Sequence, residues 1–442
     1  MAEDGGISRR GLLGLGAGVA AIGVAGCSGG DEEKMPGSTE SPGGSGDEKQ
    51  KPKKIGDGST SDTGPQPNQP EKPRPLKPGE KPPQFVIFSW DGAGEVGNGL
   101  FPRFLKVAKD NGAAMTFFLS GLYLLPESRR DLYRPPKNPV GASAIGYLKD
   151  ENIRRTLTHV RQAWLDGHEI GTHFNGHFCG GSGSVGKWTP EDWRSEIDQA
   201  REFVMKWRTN TGFDDLESLP FDYRKELVGA RTPCLLGQAN LLPAAAELGW
   251  RYDSSSSGGL QVWPSKKEGV WDLPLQSIPF PGHSFEVLSM DYNILANQSE
   301  GADTDADPAQ HPAWREQATE AYVSAFERAY DSNRAPLFIG NHFETWNGGI
   351  YMDAVEATVE HIAGTGADDV RMVSFRQFVD WLDVQEPEVL EKLRALGVGQ
   401  QPTGGWQAYL GEPAAPPGNG STGETGSTDP GIGGAPSTPP PV

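Results

Sequence analysis

Short apolar runs alternate with longer amphipathic stretches through the middle of the chain. QFVIFSW at 84–90 and AMTFFL at 114–119 are apolar and rich in β-prone residues, which predicts buried strands. FPRFLKVAKDNG at 101–112 and the segment 151–166 repeat apolar residues at helical spacing, which predicts a helix after each strand. The alternation continues to Leu382. It favours an α/β domain built on a parallel sheet or barrel, in which functional side chains collect where the strands end.

Two segments modify this pattern. Residues 120–150 form an irregular insertion that carries several prolines. Farther along, one long helix is predicted from Thr189 to Gly212, and it opens with a capping box of Thr189 and Asp192.

The two ends of the chain differ in composition from the middle. Residues 28–83 and 413–442 are rich in Gly, Pro and Ser, and they show no periodicity that could bury an apolar face. We therefore expect a disordered tether at 28–83 and a disordered tail at 413–442. The remaining segment, 84–412, suits one large domain better than two small ones.

Residues 1–27 predict an export signal rather than a folded element. SRRGLLG at 8–14 resembles the twin-arginine signal, and the apolar run after it is short and glycine-rich for a permanent membrane span. VAGC at 24–27 resembles the lipobox of bacterial lipoproteins, whose cysteine, here Cys27, is lipidated. We expect an exported protein, lipid-anchored at the outer face of the cytoplasmic membrane. A cleaved signal without lipid is the alternative.

Charge and cysteine content restrict the partners and the compartment. The formal net charge of −19 argues against nucleic acid, because phosphate binding needs a basic field. Apart from Cys27, the cysteines are Cys179 and Cys234, an even number that suits an oxidising compartment. Each follows a candidate site motif, so a disulfide between them is expected if the motifs converge. We expect a monomer.

Polar residues that do not suit a buried core stand at or just after several predicted strand ends: Asp91, His173, His177, Arg231, Asp253 and His342. His173 and His177 have i, i+4 spacing, so on a helical turn both imidazoles could reach one ion. An aspartate from another strand would complete three ligands with open positions, as in catalytic zinc sites. Such a set does not select among zinc, cobalt, nickel and iron. In the alternative, the two histidines are ordinary polar residues of a loop.

GHEIGTHFNGH at 167–177, with the other strand-end residues in order, resembles the polysaccharide deacetylases of the NodB-homology type, over about 84–382. The resemblance implies a distorted (β/α) barrel that removes acetyl groups from N- or O-acetylated sugars. It implies a divalent metal, zinc being expected and cobalt or nickel remaining open, held by Asp91, His173 and His177. It further implies that His342 is the acid, that Asp253 orients it, and that Arg231 pairs with the catalytic base.

The first motif departs from that pattern. The family has two consecutive aspartates, the first acting as base and the second as ligand, whereas this chain has Trp90 followed by Asp91. The glycine after Asp91 sets the register, so the missing residue is interpreted as the base. Glu95 is the nearest substitute, and Asp253 and Asp291 are more distant ones. A metal hydroxide could also act without a base, or the domain could have lost turnover.

Two tryptophans are candidate platforms for a sugar ring: Trp90, beside the expected ligand, and Trp346, just past His342. The sequence therefore predicts a metal-dependent deacetylase acting on acetylated glycan or peptidoglycan at the cell envelope. The first alternative is a degenerate lipoprotein of the same fold that binds glycan or a cell-wall partner. The second is a hydrolase of a small amide.

Overall fold

A computed structural model describes residues 52–411 of the chain. The strands are β1 Lys53–Ile55, β2 Thr60–Asp62, β3 Gln84–Ala93, β4 Thr116–Leu119, β5 Glu169–Thr172, β6 Gly229–Ala230, β7 Tyr252–Asp253, β8 Ser265–Lys267, β9 Val270–Asp272, β10 Ser277–Pro279, β11 Glu286–Leu288, β12 Leu337–His342 and β13 Val370–Met372. The helices are α1 Leu100–Asp110, α2 Asp150–Leu165, α3 Pro190–Met205, α4 Trp207–Thr211, α5 Tyr223–Glu226, α6 Gln238–Glu247, α7 Asp291–Gln298, α8 His311–Tyr330, α9 Trp346–Gly364, α10 Phe375–Asp383, α11 Pro387–Arg394 and α12 Gly405–Tyr409.

The domain is an α/β fold around a mostly parallel sheet, as the alternation of elements predicts. Its strand order is β12-β3-β4-β5-β6-β7-β9-β8, and β13 also pairs with β3. The pairs are parallel except that β8 runs antiparallel to β9. Strand β3 is buried along almost its whole length, since one of its faces packs in one apolar cluster and the opposite face packs in another. The carboxyl ends of the parallel strands therefore lie at one edge of the sheet.

The predicted long helix is divided in two. The capping box of Thr189 and Asp192 is present, but Lys206 leaves the helical conformation between α3 and α4. At this break the fully buried Trp207 donates its indole N–H to the carbonyl oxygen of Ser59 at 2.7 Å. The helix bends where its tryptophan packs against a segment that precedes the sheet.

The prediction of a disordered tether at 28–83 is wrong for residues 52–83. This part forms the β1–β2 hairpin and then an extended arm along the domain. Polar side chains fix it: Gln66 donates to the carbonyl oxygens of Trp164 and His168 at 2.8 and 2.7 Å. A segment poor in aliphatic residues is thus held by hydrogen bonds, a property that hydrophobic periodicity does not reveal. Residues 28–51 and the predicted tail at 413–442 lie outside the described residues.

None of the helices described in residues 52–411 has the length and apolar character needed to cross a membrane.

Candidate functional site

The polar residues that end the predicted strands come together at one edge of the sheet. Asp91 lies two residues before the end of β3 and is the direct partner of His342 at the end of β12. His173 follows β5, and Arg231 follows β6. Neighbouring parallel strands thus place a carboxylate, imidazoles and a guanidinium around one point, as the strand-end pattern predicts.

Asp91 and Arg231 form a fully buried ion pair. Nη1 of Arg231 donates to Oδ1 of Asp91 at 2.8 Å and to Oγ of Ser89 at 2.8 Å, while Nε and Nη2 donate to the carbonyl and hydroxyl oxygens of Ser254. Burial by itself raises the pKa of Asp91, but the guanidinium, with His173 and His342, outweighs burial and holds that pKa below its ordinary value. Asp91 is therefore an ionised carboxylate at neutral pH.

His173 is oriented by the backbone of Arg231. Its Nδ1 lies 2.8 Å from the Arg231 carbonyl oxygen, and because a carbonyl only accepts, Nδ1 carries the proton. Burial lowers the pKa of His173 to about 4, so the ring is neutral. Its Nε2 is buried and has no hydrogen-bond partner among residues 52–411. A neutral imidazole with an oriented lone pair is the form that binds a metal ion.

His342 is oriented by Asp291, not by Asp253. Its Nδ1 donates to Oδ1 of Asp291 at 2.8 Å, and its backbone N–H donates to Oδ2 at 2.7 Å. Burial lowers the pKa of His342, but the Asp291 carboxylate outweighs burial and raises it to about 9. His342 is therefore an imidazolium at neutral pH. Its side chain is 25% exposed, so a ligand can reach it.

The expected pairing with Asp253 fails because of the strand order. Strand β7, which carries Asp253, stands five places from β12 in the sheet, whereas a bridge between Met290 and Gly340 brings Asp291 beside His342. Asp253 instead accepts hydrogen bonds from Ser255 and Gln238.

Trp90 is a core residue, so neither role expected for its position stands. Its ring is fully buried and packs against Phe104 and Phe343 at centroid distances of 4.1 and 4.6 Å. Because side chains alternate along a strand, Trp90 points away from the face that Asp91 presents. Trp90 therefore cannot support a sugar ring, and a base at this position would lie in the core. The side chain that faces Arg231 is Asp91.

Glu95 has a local role in place of the substitute base that the sequence favours. Its Oε1 accepts the backbone N–H groups of Gly97 and Gly99 at 2.7 and 3.2 Å, in the turn that leads into α1. The side chain is almost fully buried there. The carboxylate thus stabilises its own loop.

His177 lies near His173, but not on a helical turn. The segment after β5 is a loop in which Phe174 and His177 have φ of 60° and 55°, and the two imidazole centroids are 5.1 Å apart. Cys179 and Cys234 form a disulfide that joins this loop to the one after β6. Nδ1 of His177 is 3.5 Å from Sγ of Cys179.

The residues present do not fit the expected three-ligand metal site. Within the part of the chain that the structure describes, the group of three whose ligand atoms lie within 4.8 Å of one another is His177, Cys179 and Cys234, not Asp91, His173 and His177. The sulfur atoms of that group are joined in the disulfide and are not thiolate ligands. The carboxylate of Asp91 is committed to Arg231. Only the two histidines remain as metal ligands of the expected set.

An aromatic wall borders His342. The ring of Trp346 lies 5.4 Å from the imidazole, and Tyr292 packs edge-on against Trp346 at 5.8 Å. Tyr292 is 47% exposed and Trp346 is partly buried, so both can offer a face to a ligand. The role of Trp346 as a platform for a sugar ring stays a prediction, and its position beside His342 is compatible with it. Tyr292 was not predicted, since only the bridge beside β12 brings it there.

Comparison with protein-family profiles gives no match. Comparison with curated proteins gives none either. Solved structures match at low similarity: a proposed polysaccharide deacetylase from Mycobacterium smegmatis is 16% identical, with a TM-score of 0.41, over 69% of this chain and 93% of that one. The family 4 carbohydrate esterase from Streptomyces lividans, solved with acetate, is 13% identical, with a TM-score of 0.31, over 64% and 90%. A CE4-family pseudoenzyme from Bacillus anthracis is 10% identical, with a TM-score of 0.35, over 71% and 70%. At this similarity the matches carry no argument about the site, whose chemistry rests on its own geometry.

Proposed function

We propose that the domain removes acetyl groups from an acetylated polysaccharide, with Asp91 as general base and His342 as general acid. The observation that carries the proposal is the pairing of these two residues on the adjacent parallel strands β3 and β12, one as an ionised carboxylate and the other as an imidazolium. Hydrolysis of an acetyl amide or ester needs both forms at once. The base must accept a proton from the attacking water, and the acid must donate one to the leaving nitrogen or oxygen.

A neighbouring charged side chain positions each of the two groups, the proton donor His342 and the proton acceptor Asp91. Asp291 fixes Nδ1 of His342, so that Nε2 carries the proton available for the leaving group. Arg231 fixes Asp91 and keeps it ionised, although the same ion pair makes Asp91 a weaker base. We therefore expect a slow enzyme, since general acid–base catalysis contributes about 10²- to 10⁴-fold when the pKa of each group suits its task.

The substrate class follows from the aromatic wall. Trp346 and Tyr292 stand beside the proton donor and present apolar faces with polar edges. Such rings pack against the apolar faces of a sugar, which supports an acetylated glycan such as peptidoglycan over a small amide.

Acetate release from the full-length protein tests this proposal. Acetylated chito-oligosaccharides, peptidoglycan fragments and acetyl xylan form the panel. Asp91→Asn should lower the rate by about 10²-fold or more. Asp253→Asn is the matched control, because it removes a buried strand-end carboxylate that does not touch His342, and it should keep the rate within about threefold. No acetate release from any substrate by the native protein would reject the proposal.

A glycan-binding protein without turnover is the second candidate. The observation that favours it is the incomplete set of metal ligands around His173 and His177. Under this candidate the native protein binds acetylated oligosaccharide, measured by calorimetry, but releases no acetate. Trp346→Ala should then weaken binding at least about tenfold, because it removes the platform.

We also propose that the protein is exported and lipid-anchored through Cys27. Support comes from the twin arginines and the lipobox-like VAGC sequence, which lie outside the described residues. Incorporation of labelled palmitate in cells should be lost in Cys27→Ala. Equal labelling of the variant would reject lipidation at this cysteine.

A further inference from the structure

Two buried polar atoms without partners flank Gly92. They are Nε2 of His173 and Oγ of Ser120, and neither has a hydrogen-bond partner within residues 52–411. Buried polar groups are normally satisfied, so a pair of such atoms marks a place where a ligand or a missing side chain belongs.

A side chain at position 92 would enter this place. A Cβ atom built on Gly92 lies 3.6 Å from Oγ of Ser120 and 3.9 Å from Cδ2 of His173. Cδ2 is bonded to Nε2 in the imidazole ring, so the side chain would begin next to the unpartnered nitrogen. The nearest atoms are at ordinary contact distances, and the space is therefore open to a small side chain.

Asp91 does not fill this position although it is the adjacent residue. Successive residues of a strand point to different sides, and Asp91 turns its carboxylate to Arg231. A bulge between Asp91 and Ala93 in the pairing of β3 with β4 gives position 92 a different direction from that of Asp91. The two adjacent positions thus have different neighbours: Asp91 accepts a hydrogen bond from the Arg231 guanidinium, and Gly92 lies beside His173.

We propose that position 92 is a vacant metal-ligand position. The native chain holds a divalent cation through His173 and His177 alone, and therefore weakly, and a carboxylate at position 92 completes a site of three ligands. The residue missing from this site is a metal ligand rather than a base, which reverses the interpretation drawn from the sequence. The inference rests on the proposed function for the identity of the site, but metal affinity tests it without any turnover.

The backbone allows the substitution. Gly92 has φ of 63°, the left-handed region. Aspartate and asparagine are the side-chain-bearing residues that most readily adopt it. Gly92→Asp and Gly92→Asn therefore share the same backbone strain and nearly the same shape, and they differ in the charge that binds a metal.

Calorimetric titration of zinc into the full-length protein gives the test. Gly92→Asp should bind zinc at least about tenfold more tightly than the native protein, and Gly92→Asn should stay within about threefold. With cobalt in place of zinc, Gly92→Asp should gain visible absorption bands that the native protein shows only at higher cobalt concentration. A Gly92→Asp variant that is folded by circular dichroism and binds zinc no more tightly overturns the proposal.

Variants of the native site decide the question if Gly92→Asp does not fold. His173→Ala should abolish zinc binding, and Asp91→Asn should keep zinc affinity within about threefold, since Asp91 binds Arg231 instead. Loss of tenfold or more in Asp91→Asn would make Asp91 a ligand and overturn the proposal, as would unchanged binding in His173→Ala. Absence of acetate release would reject the proposed function, but it would leave these affinities, and hence this inference, unaffected.

Discussion

Replacement of Trp90 by aspartate should destabilise the fold rather than restore a catalytic base. The sequence presents this substitution as the repair of a motif, because two consecutive acids would then precede the glycine. The structure shows that the new carboxylate would lie between Phe104 and Phe343, in a fully buried part of the core.

The magnitude follows from the packing of this tryptophan. Truncation of a buried tryptophan costs about 3–5 kcal/mol, because the contacts are lost and a cavity remains. An unpaired carboxyl group in the same place adds about 1–3 kcal/mol even when it is protonated. The sum is comparable with the whole stability of a typical domain, about 5–15 kcal/mol. Trp90→Phe, which keeps an aromatic ring, should cost only about 1–2 kcal/mol.

Urea unfolding followed by circular dichroism measures both variants. We expect Trp90→Asp to be unfolded, or to unfold at a far lower urea concentration than Trp90→Phe, and to release no more acetate than the native protein. A Trp90→Asp variant with nearly native stability and increased acetate release would refute this reasoning, because it would place residue 90 in the site.

Three further predictions concern the surroundings of the site. Burial raises the pKa of the fully buried Glu196 from 4.5 to about 7, so between these pH values the folded state holds a proton that the unfolded state has lost, and the free energy of unfolding should fall by about 3 kcal/mol as the pH rises through this range. Urea unfolding at several pH values should show this fall in the native protein and not in Glu196→Gln. The disulfide between Cys179 and Cys234 closes a loop with a sequence separation of 55, so replacing both cysteines by serine should lower the free energy of unfolding by up to about 4 kcal/mol. An unchanged urea midpoint in this double variant would contradict the expected loss. Tyr292→Ala should raise the KM for acetylated oligosaccharide several-fold with kcat little changed, whereas Phe285→Ala, equally exposed at 47%, should change neither.

The strand ends of the fold could be predicted because their signals are local. Apolar runs identified β3 and β12, and the polar residues after them identified Asp91 and His342. Parallel strands have their carboxyl ends at one edge, so the convergence of these residues followed from the order of elements alone.

The partners within the site could not be predicted, because they depend on strand order and on side-chain direction. Asp291 reaches His342 through a bridge beside β12 that no sequence pattern indicates. That Asp291 rather than Asp253 orients His342 is therefore a consequence of the sheet topology.

The error at the first motif has a different cause. Matching an Asp-Gly pair to the family pattern placed the gap at Trp90, but alternation along β3 turns Trp90 into the core and Asp91 toward Arg231. Residue type alone thus does not show which side chain of a strand enters a site, and only the contacts of each side chain reveal it.

The pH dependence of acetate release from an N-acetylated oligosaccharide is the most direct test of the acid–base pair. Because His342 must be protonated to act as the acid, and its pKa is about 9, the rate should stay high through neutral pH and fall as pH rises past about 9. A rate that remains constant or rises through this range would contradict the assignment of His342 as the proton donor, and with it the mechanism proposed here.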